Sequence, residues 1–130
     1  MTLKQISIHV LISALLAIVA SLIYNLIYSS AFELNFGSVL TIGGIIGSTL
    51  IGCTLMGMGY YVGYKWKGEK SIPWINILIS VLSFASIVGV LGIQLPLTME
   101  SPEMFPGLAI PMHFFPALAF FTISPFFKIK

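Results

Sequence analysis

The sequence lacks most of the charged side chains with which a soluble protein covers its surface. It contains no arginine and no aspartate, and six lysines and four glutamates make up 8% of its 130 residues. Soluble domains usually carry about 25% charged residues, and a soluble chain this poor in charge would expose apolar patches that aggregate. With 58% hydrophobic residues and a mean hydropathy of +1.04, the composition indicates a protein whose solvent is lipid.

The missing residue types also exclude several kinds of site. Without arginine the chain has no bidentate clamp for phosphate groups, and a net charge of +2 gives no reason to expect a nucleic-acid partner. The single cysteine, Cys53, excludes an internal disulfide and a CxxC redox pair. The two histidines, His9 and His113, are predicted near opposite membrane faces, and the methionines have no metal-site spacing. We therefore expect neither a metal nor a cofactor.

Long apolar segments occupy nearly all of the chain. A helix of about 20 apolar residues spans a bilayer, and the sequence predicts four such helices at about 6–28, 38–63, 72–95 and 106–127. A signal peptide has an apolar region of about 7–15 residues, and the first run is longer, so we expect it to remain as an uncleaved helix. Residues 1–130 are then a single transmembrane domain with one strongly polar loop, at 65–70.

The distribution of charge predicts how these helices are oriented. All six lysines lie at the N-terminus, in the loop at 65–70 or at the C-terminus, whereas Glu33, Glu100 and Glu103 lie in the other two loops. Lysine-bearing segments favour the cytoplasmic side. The sequence therefore predicts an all-α, multi-pass protein of a bacterial-type inner (plasma) membrane. Its four helices would form an up-down bundle with both termini in the cytoplasm.

Small residues recur at helical spacing in the first two helices. In the second helix they follow the small-xxx-small pattern with which membrane helices approach each other closely. These residues are Gly44, Ser48, Gly52, Gly59 and Gly63. In the first helix a small or polar residue recurs every fourth position, which places one face of that helix against its neighbours. The residues of this face are His9, Ser13, Ala17, Ser21 and Asn25. We expect the glycine-rich helix to be the centre of packing, and His9 to reach toward the lysine-bearing interface.

Four polar residues are predicted at a similar depth, in the outer third of the membrane. They are Asn25, Thr41, Gln94 and His113. Polar groups inside a membrane are candidates for function, and this set would form a ligand-binding pocket in which imidazole is the group that titrates near neutral pH. The alternative is that such side chains only form hydrogen bonds between neighbouring helices. The sequence leaves both interpretations open.

The layout resembles a loose group of uncharacterised small bacterial four-helix membrane proteins. The shared features are Asn25, the glycine-rich second helix and the Met112-His113 pair at the start of the fourth helix. The resemblance implies the same arrangement of helices and brings no established function. The chain lacks the first-helix glutamate of small multidrug exporters and the arginine-containing signature of fluoride channels.

Two functional hypotheses follow from the sequence. In the first, the protein binds or transports a small molecule through the polar pocket in the outer half of the bundle. In the second, it is a non-catalytic interaction protein, either a complex subunit or an immunity-type protein, that packs through its glycine-rich helix. Its partners would then be the lipid bilayer together with a second copy or another membrane protein. An enzyme acting on lipid has less support, because no GxSxG or SxxK pattern supplies a nucleophile.

Overall fold

The computed structural model describes residues 2–127, and within that range every regular element is helical. The elements are α1 (Leu3–Phe32), α2 (Ile42–Lys67), α3 (Ile72–Leu91) and α4 (Phe105–Ile123), with short 3-10 turns at Gly68–Ser71, Pro102–Met104 and Ser124–Phe127. Lys128 and Lys130, on which the predicted orientation partly depends, lie outside the described residues. The predicted all-α class is confirmed.

Three helical stretches are long and apolar enough to cross a membrane. They are Leu3–Phe32, Ile42–Leu91 and Pro102–Phe127. Helix is the expected conformation for such segments, because in lipid each backbone N–H and C=O must find its partner within the segment. The middle stretch has 50 residues, more than twice the number that one span of about 20 residues requires.

The middle stretch changes direction at a glycine near its centre. Gly68 has a φ of 62°, a backbone conformation that glycine adopts without steric cost. The hydroxyl of Tyr60, eight residues before Gly68, donates a hydrogen bond to Oδ1 of Asn76, eight residues after it, so α2 and α3 pack against each other beside this turn. The connection is shorter than the loop predicted at 65–70, because α2 continues through Lys67 and a 3-10 turn at Gly68–Ser71 leads directly into α3.

Capping side chains determine where two of the helices begin. Thr2 and Gln5 form a capping box that starts α1 three residues earlier than predicted. Thr41 Oγ1 accepts a hydrogen bond of 3.0 Å from the Gly44 N–H, so α2 begins at Ile42 and not at 38. Thr41 is therefore the N-cap of a helix.

The predicted packing face of α1 is confirmed over most of its length. His9, Ser13, Ala17 and Ser21 are all buried, and Asn25 is half-buried. The prediction that His9 reaches the interface is wrong. His9 is fully buried, its Nε2 donates a hydrogen bond of 2.9 Å to the Phe120 carbonyl, and its ring stacks on Phe120 with centroids 4.0 Å apart. Helix α4 supplies both the acceptor and the aromatic surface that keep this imidazole inside the protein.

Tyrosine side chains of α1 hold the beginning of α4. Pro111 has no N–H, so the Gly107 carbonyl one turn earlier loses its helical donor. The Tyr24 hydroxyl donates a hydrogen bond of 2.8 Å to that carbonyl, and Tyr28 donates one of 2.7 Å to the Met104 carbonyl. Tyr24 therefore satisfies an acceptor that a proline of another helix has left unpaired.

This pairing predicts a coupling between Tyr24 and Pro111. Tyr24→Phe should lower the free energy of unfolding in detergent micelles by about 1 kcal/mol, because the Gly107 carbonyl is left without a donor. In a Pro111→Ala background residue 111 can donate to that carbonyl, so Tyr24→Phe should cost clearly less. A double-mutant cycle on the unfolding free energy measures the difference. An equal cost in both backgrounds would contradict the assignment.

Candidate functional site

A cavity of about 420 Å³ lies between α2, α3 and α4. Its size falls in the range of about 300–1,000 Å³ that is typical of small-molecule sites. Its walls come from 48–59 of α2, 75–86 of α3 and 112–117 of α4. Residues 48–59 form the middle of α2. The cavity therefore occupies the central part of the helical assembly and not its outer end.

The cavity exists because small residues meet where three helices converge. Gly52 and Gly59 of α2, Ser83 of α3 and Ala117 of α4 all line it. None of these side chains is long enough to fill the space between the helix axes. Leu55, Leu78 and Leu82 complete the walls and are themselves largely exposed on the outside of the protein. The cavity is therefore bounded in part by side chains that lipid would contact.

Three side chains of the cavity wall, those of His113, Ser48 and Ser86, keep an acceptor atom after making their own hydrogen bonds. His113 Nδ1 lies 3.1 Å from the Ala109 carbonyl, which can only accept, so Nδ1 holds the proton and Nε2 of the neutral ring is left as an acceptor. The hydroxyls of Ser48 and Ser86 donate to the carbonyls of Ile45 and Ser83, at 3.2 and 2.6 Å. Each hydroxyl thus uses its proton within its own helix and leaves its oxygen able to accept.

Pro116 places one more acceptor at the same wall. A proline has no N–H, so the Met112 carbonyl four residues earlier lacks its usual helical donor. Met112, His113 and Pro116 all line the cavity. A molecule that is mostly apolar and has one hydrogen-bond donor would therefore match this site.

The four polar residues that the sequence placed in one pocket are not brought together. His113 lines the cavity, whereas Thr41 caps α2, Gln94 is exposed beyond the end of α3, and Asn25 is half-buried on α1. A ligand-binding role for these other three residues stays a prediction.

The level of Asn25 follows from the contacts between α1 and α4. Tyr24 contacts Gly107 and His9 contacts Phe120, so Asn25 lies level with the first turn of α4. At 1.5 Å per residue, His113 is then roughly 10 Å deeper.

The residues predicted to pack the helices differ in what surrounds them. A Cβ atom on Gly63 would overlap Ile75 Cδ1, one on Gly59 would lie 3.6 Å from Ile75 Cγ2, and one on Gly52 would lie 3.9 Å from Pro116 Cβ. These contacts support a packing role. The nearest atom to Gly44 is Thr41 Oγ1 of its own N-cap, and Ser48 is an exposed residue of the cavity wall.

One tight glycine contact, at Gly57, is one that the small-xxx-small pattern did not identify. Gly57 packs on α1, and a Cβ atom there would overlap Val10 Cγ2 and lie 3.4 Å from Ile6 Cγ2.

The hydroxyls of α3 are also absent from the predicted site, although Ser80, Ser83 and Ser86 recur every third residue and so share one helix face. Ser83 and Ser86 of this series line the cavity, so the periodicity is a signal from which the α3 wall could have been predicted.

A second polar cluster lies around His9, toward the other end of α1. His9 Nδ1 and Ser13 Oγ are buried without a hydrogen-bond partner among the described residues, and the His9 ring packs edge-on to Tyr60 at 5.9 Å. Residues four apart on a helix are neighbours, so the two unpaired atoms belong to adjacent side chains. In the part of the chain that the structure describes, no three His, Cys, Asp or Glu side chains are grouped to hold a metal.

Comparison with known proteins leaves the geometry as the only basis for a functional assignment. No family model, curated protein or solved structure matches this chain.

Proposed function

We propose that this protein binds a small, largely apolar molecule with one hydrogen-bond donor in the cavity between α2, α3 and α4. The observation that supports this most directly is the chemistry of the cavity wall. Apolar side chains make up most of a wall that also contains the acceptor Nε2 of His113 and the serine oxygens, and the cavity has room for a compact ligand. Because part of the wall is exposed on the lipid-facing side, such a ligand would enter laterally from the bilayer.

The proposal includes a specific arrangement in the membrane. α2 and α3 are separate spans that turn back at Gly68, which gives four helices in an up-down order. The contact between Tyr60 and Asn76 supports the turn, and the paired contacts of α1 with α4, from Tyr28–Met104 to His9–Phe120, support antiparallel neighbours. The lysines at 65–70 favour the cytoplasmic side of an inner membrane for the turn, and the N-terminus lies at the same end.

His113 should determine whether the hydroxyl of a ligand is recognised. The test uses 1-decanol as the probe. Decane, which has the same hydrocarbon chain but no hydroxyl to donate a hydrogen bond, is the comparison. A ligand that binds the folded state raises its stability, so decanol should raise the midpoint of thermal unfolding in detergent more than decane does. His113→Phe should weaken the decanol effect by about fivefold, because one hydrogen bond contributes about 1 kcal/mol.

A matched variant separates hydrogen bonding from charge. His113→Gln keeps a hydrogen-bond acceptor and has no group that titrates, so it should retain the preference for decanol over decane. Thr122→Val, at an exposed position on α4 outside the cavity, should behave like the unmodified protein. Equal stabilisation by decanol and decane would refute the role of His113, and no stabilisation by either would favour the second function below.

The second candidate is a membrane interaction protein, and two glycines of α2 favour it. Gly43 and Gly47 are four residues apart, and neither has any heavy atom within 4 Å of where its Cβ would lie. This is an open small-xxx-small face of the kind that associates with another helix. A second copy of this chain or a different membrane protein would fit there.

A further inference from the structure

A second groove, of about 430 Å³, lies between α1 and α2 at the end that contains Lys4 and Lys65. Its walls are mostly apolar, with the hydroxyl-bearing side chains of Ser7, Thr54 and Tyr61 among them. The apolar residues include Leu3, Val10 and Leu11 of α1 and Gly57, Met58 and Val62 of α2. The groove faces outward between two predicted spans, so the hydrocarbon of the bilayer would fill it. Its dimensions and chemistry suit an acyl chain and offer little to a polar molecule.

A lysine stands at the open end of this groove. Tyr61 lines the groove, and Lys65 Nζ lies 4.6 Å from the centroid of the Tyr61 ring. A cation–π contact of this kind holds the ammonium group over the ring. Trp66, the next residue, has 78% of its surface exposed, as expected for an aromatic residue at the level of lipid headgroups.

The other charges near this end are mostly of the same sign. Lys4 follows Leu3 at the start of α1, Lys67 and Lys70 are exposed near the turn, and Glu69 is the acidic residue among them. Lysines close to the membrane surface attract anionic lipids, and each lysine raises the binding constant by about fivefold. The groove therefore combines a channel for a hydrocarbon chain with the positive charge of Lys65, which lies where the phosphate of a bound lipid would be.

We propose that this groove is a binding site for an anionic glycerophospholipid, with one acyl chain between α1 and α2 and the phosphate beside Lys65. The site is separate from the cavity between α2, α3 and α4, and it does not depend on the function proposed for that cavity. Lys65 provides the selectivity for charge, while Thr54, Gly57 and Met58 line the path of the chain.

The proposal is tested on the full-length protein in a non-ionic detergent. The protein is mixed with equal amounts of dioleoyl-phosphatidylglycerol and dioleoyl-phosphatidylcholine, and bound lipid is counted by native mass spectrometry. Phosphatidylglycerol should be retained in preference. Lys65→Gln should reduce its retention by about fivefold and leave phosphatidylcholine unchanged.

Matched variants distinguish a site from diffuse attraction. Lys67→Gln removes the same charge from a lysine whose Nζ lies over the Trp66 ring and not over Tyr61, and it should have a clearly smaller effect. Thr54→Phe fills the groove and should reduce binding of both lipids, whereas Ile51→Phe, on an exposed part of α2 outside the groove, should not. Equal retention of the two lipids, or equal losses in Lys65→Gln and Lys67→Gln, would overturn the proposal.

Discussion

Replacing Gly57 by leucine is expected to remove most of the folded protein from detergent extracts, and Gly57→Ala to lower the free energy of unfolding by about 1–3 kcal/mol. Even a single methyl group at Gly57 would overlap Val10 Cγ2. Valine is branched at Cβ and has one strongly preferred rotamer in a helix, so it cannot turn aside. The helices α1 and α2 would have to separate along their contact.

Two other glycines of α2 provide graded controls. At Gly63 the atom in the way is Ile75 Cδ1, the flexible end of a side chain, so Gly63→Ala should cost less than Gly57→Ala. At Gly47 no heavy atom lies within 4 Å, so Gly47→Ala should be neutral or slightly stabilising, because alanine favours a helix more than glycine does. Unfolding midpoints measured in one detergent give the order. Equal effects at all three positions would contradict close packing at Gly57.

A cysteine at Glu100 is expected to react with a membrane-impermeant thiol reagent in intact cells, whereas a cysteine at Lys67 should react only after the membrane is opened. Both positions are exposed, so a difference in reaction reports the side of the membrane and not burial. Cys53 is buried, and Cys53→Ala gives a background without other thiols. The lysine-bearing turn is expected on the cytoplasmic side because lysines are retained there.

A third position makes the labelling experiment decisive. Glu33→Cys lies just after α1 and should behave like Glu100→Cys. Reaction at Lys67 in intact cells, with protection at Glu33 and Glu100, would reverse the orientation. Reaction at only one of Glu33 and Glu100 in intact cells would show that Ile42–Leu91 crosses the membrane without turning back, and the four-span arrangement would then be wrong.

The helices were predictable from the sequence because their causes are local. Runs of apolar residues of spanning length have no stable alternative to helix in lipid, and the buried face of α1 follows from small residues at every fourth position. The exact ends depend on single side chains. Thr41, for which a ligand-binding role stays a prediction, is the N-cap of α2, and the lysines at 65 and 67 remain helical because their long side chains can reach water from a helix.

The site was less predictable because it depends on relations between helices. Sequence gives the depth of a residue along its own helix but not the offset between two helices. Asn25 and His113 are similarly far from the ends of α1 and α4, yet α1 extends past the start of α4, so the two residues lie at different levels. The rotation of a helix about its own axis is equally hard to predict from sequence. His9 is an example, since its burial depends on the Phe120 carbonyl of α4, 111 residues away in the chain.

Helix α1 is longer than the hydrocarbon core of a membrane is thick, so one end of it would lie outside the lipid. Its 30 residues span about 45 Å at 1.5 Å per residue, longer than a hydrocarbon core of about 30 Å. Beside its far end Tyr28, Leu34, Phe36 and Phe105 form a buried apolar cluster. Where such a cluster reaches water, its assembly gains from the hydrophobic effect and contributes a positive heat capacity of unfolding. Helices packed within lipid are held by close contact and interhelical hydrogen bonds, without a hydrophobic contribution, so heating and changes of detergent should affect the two parts differently.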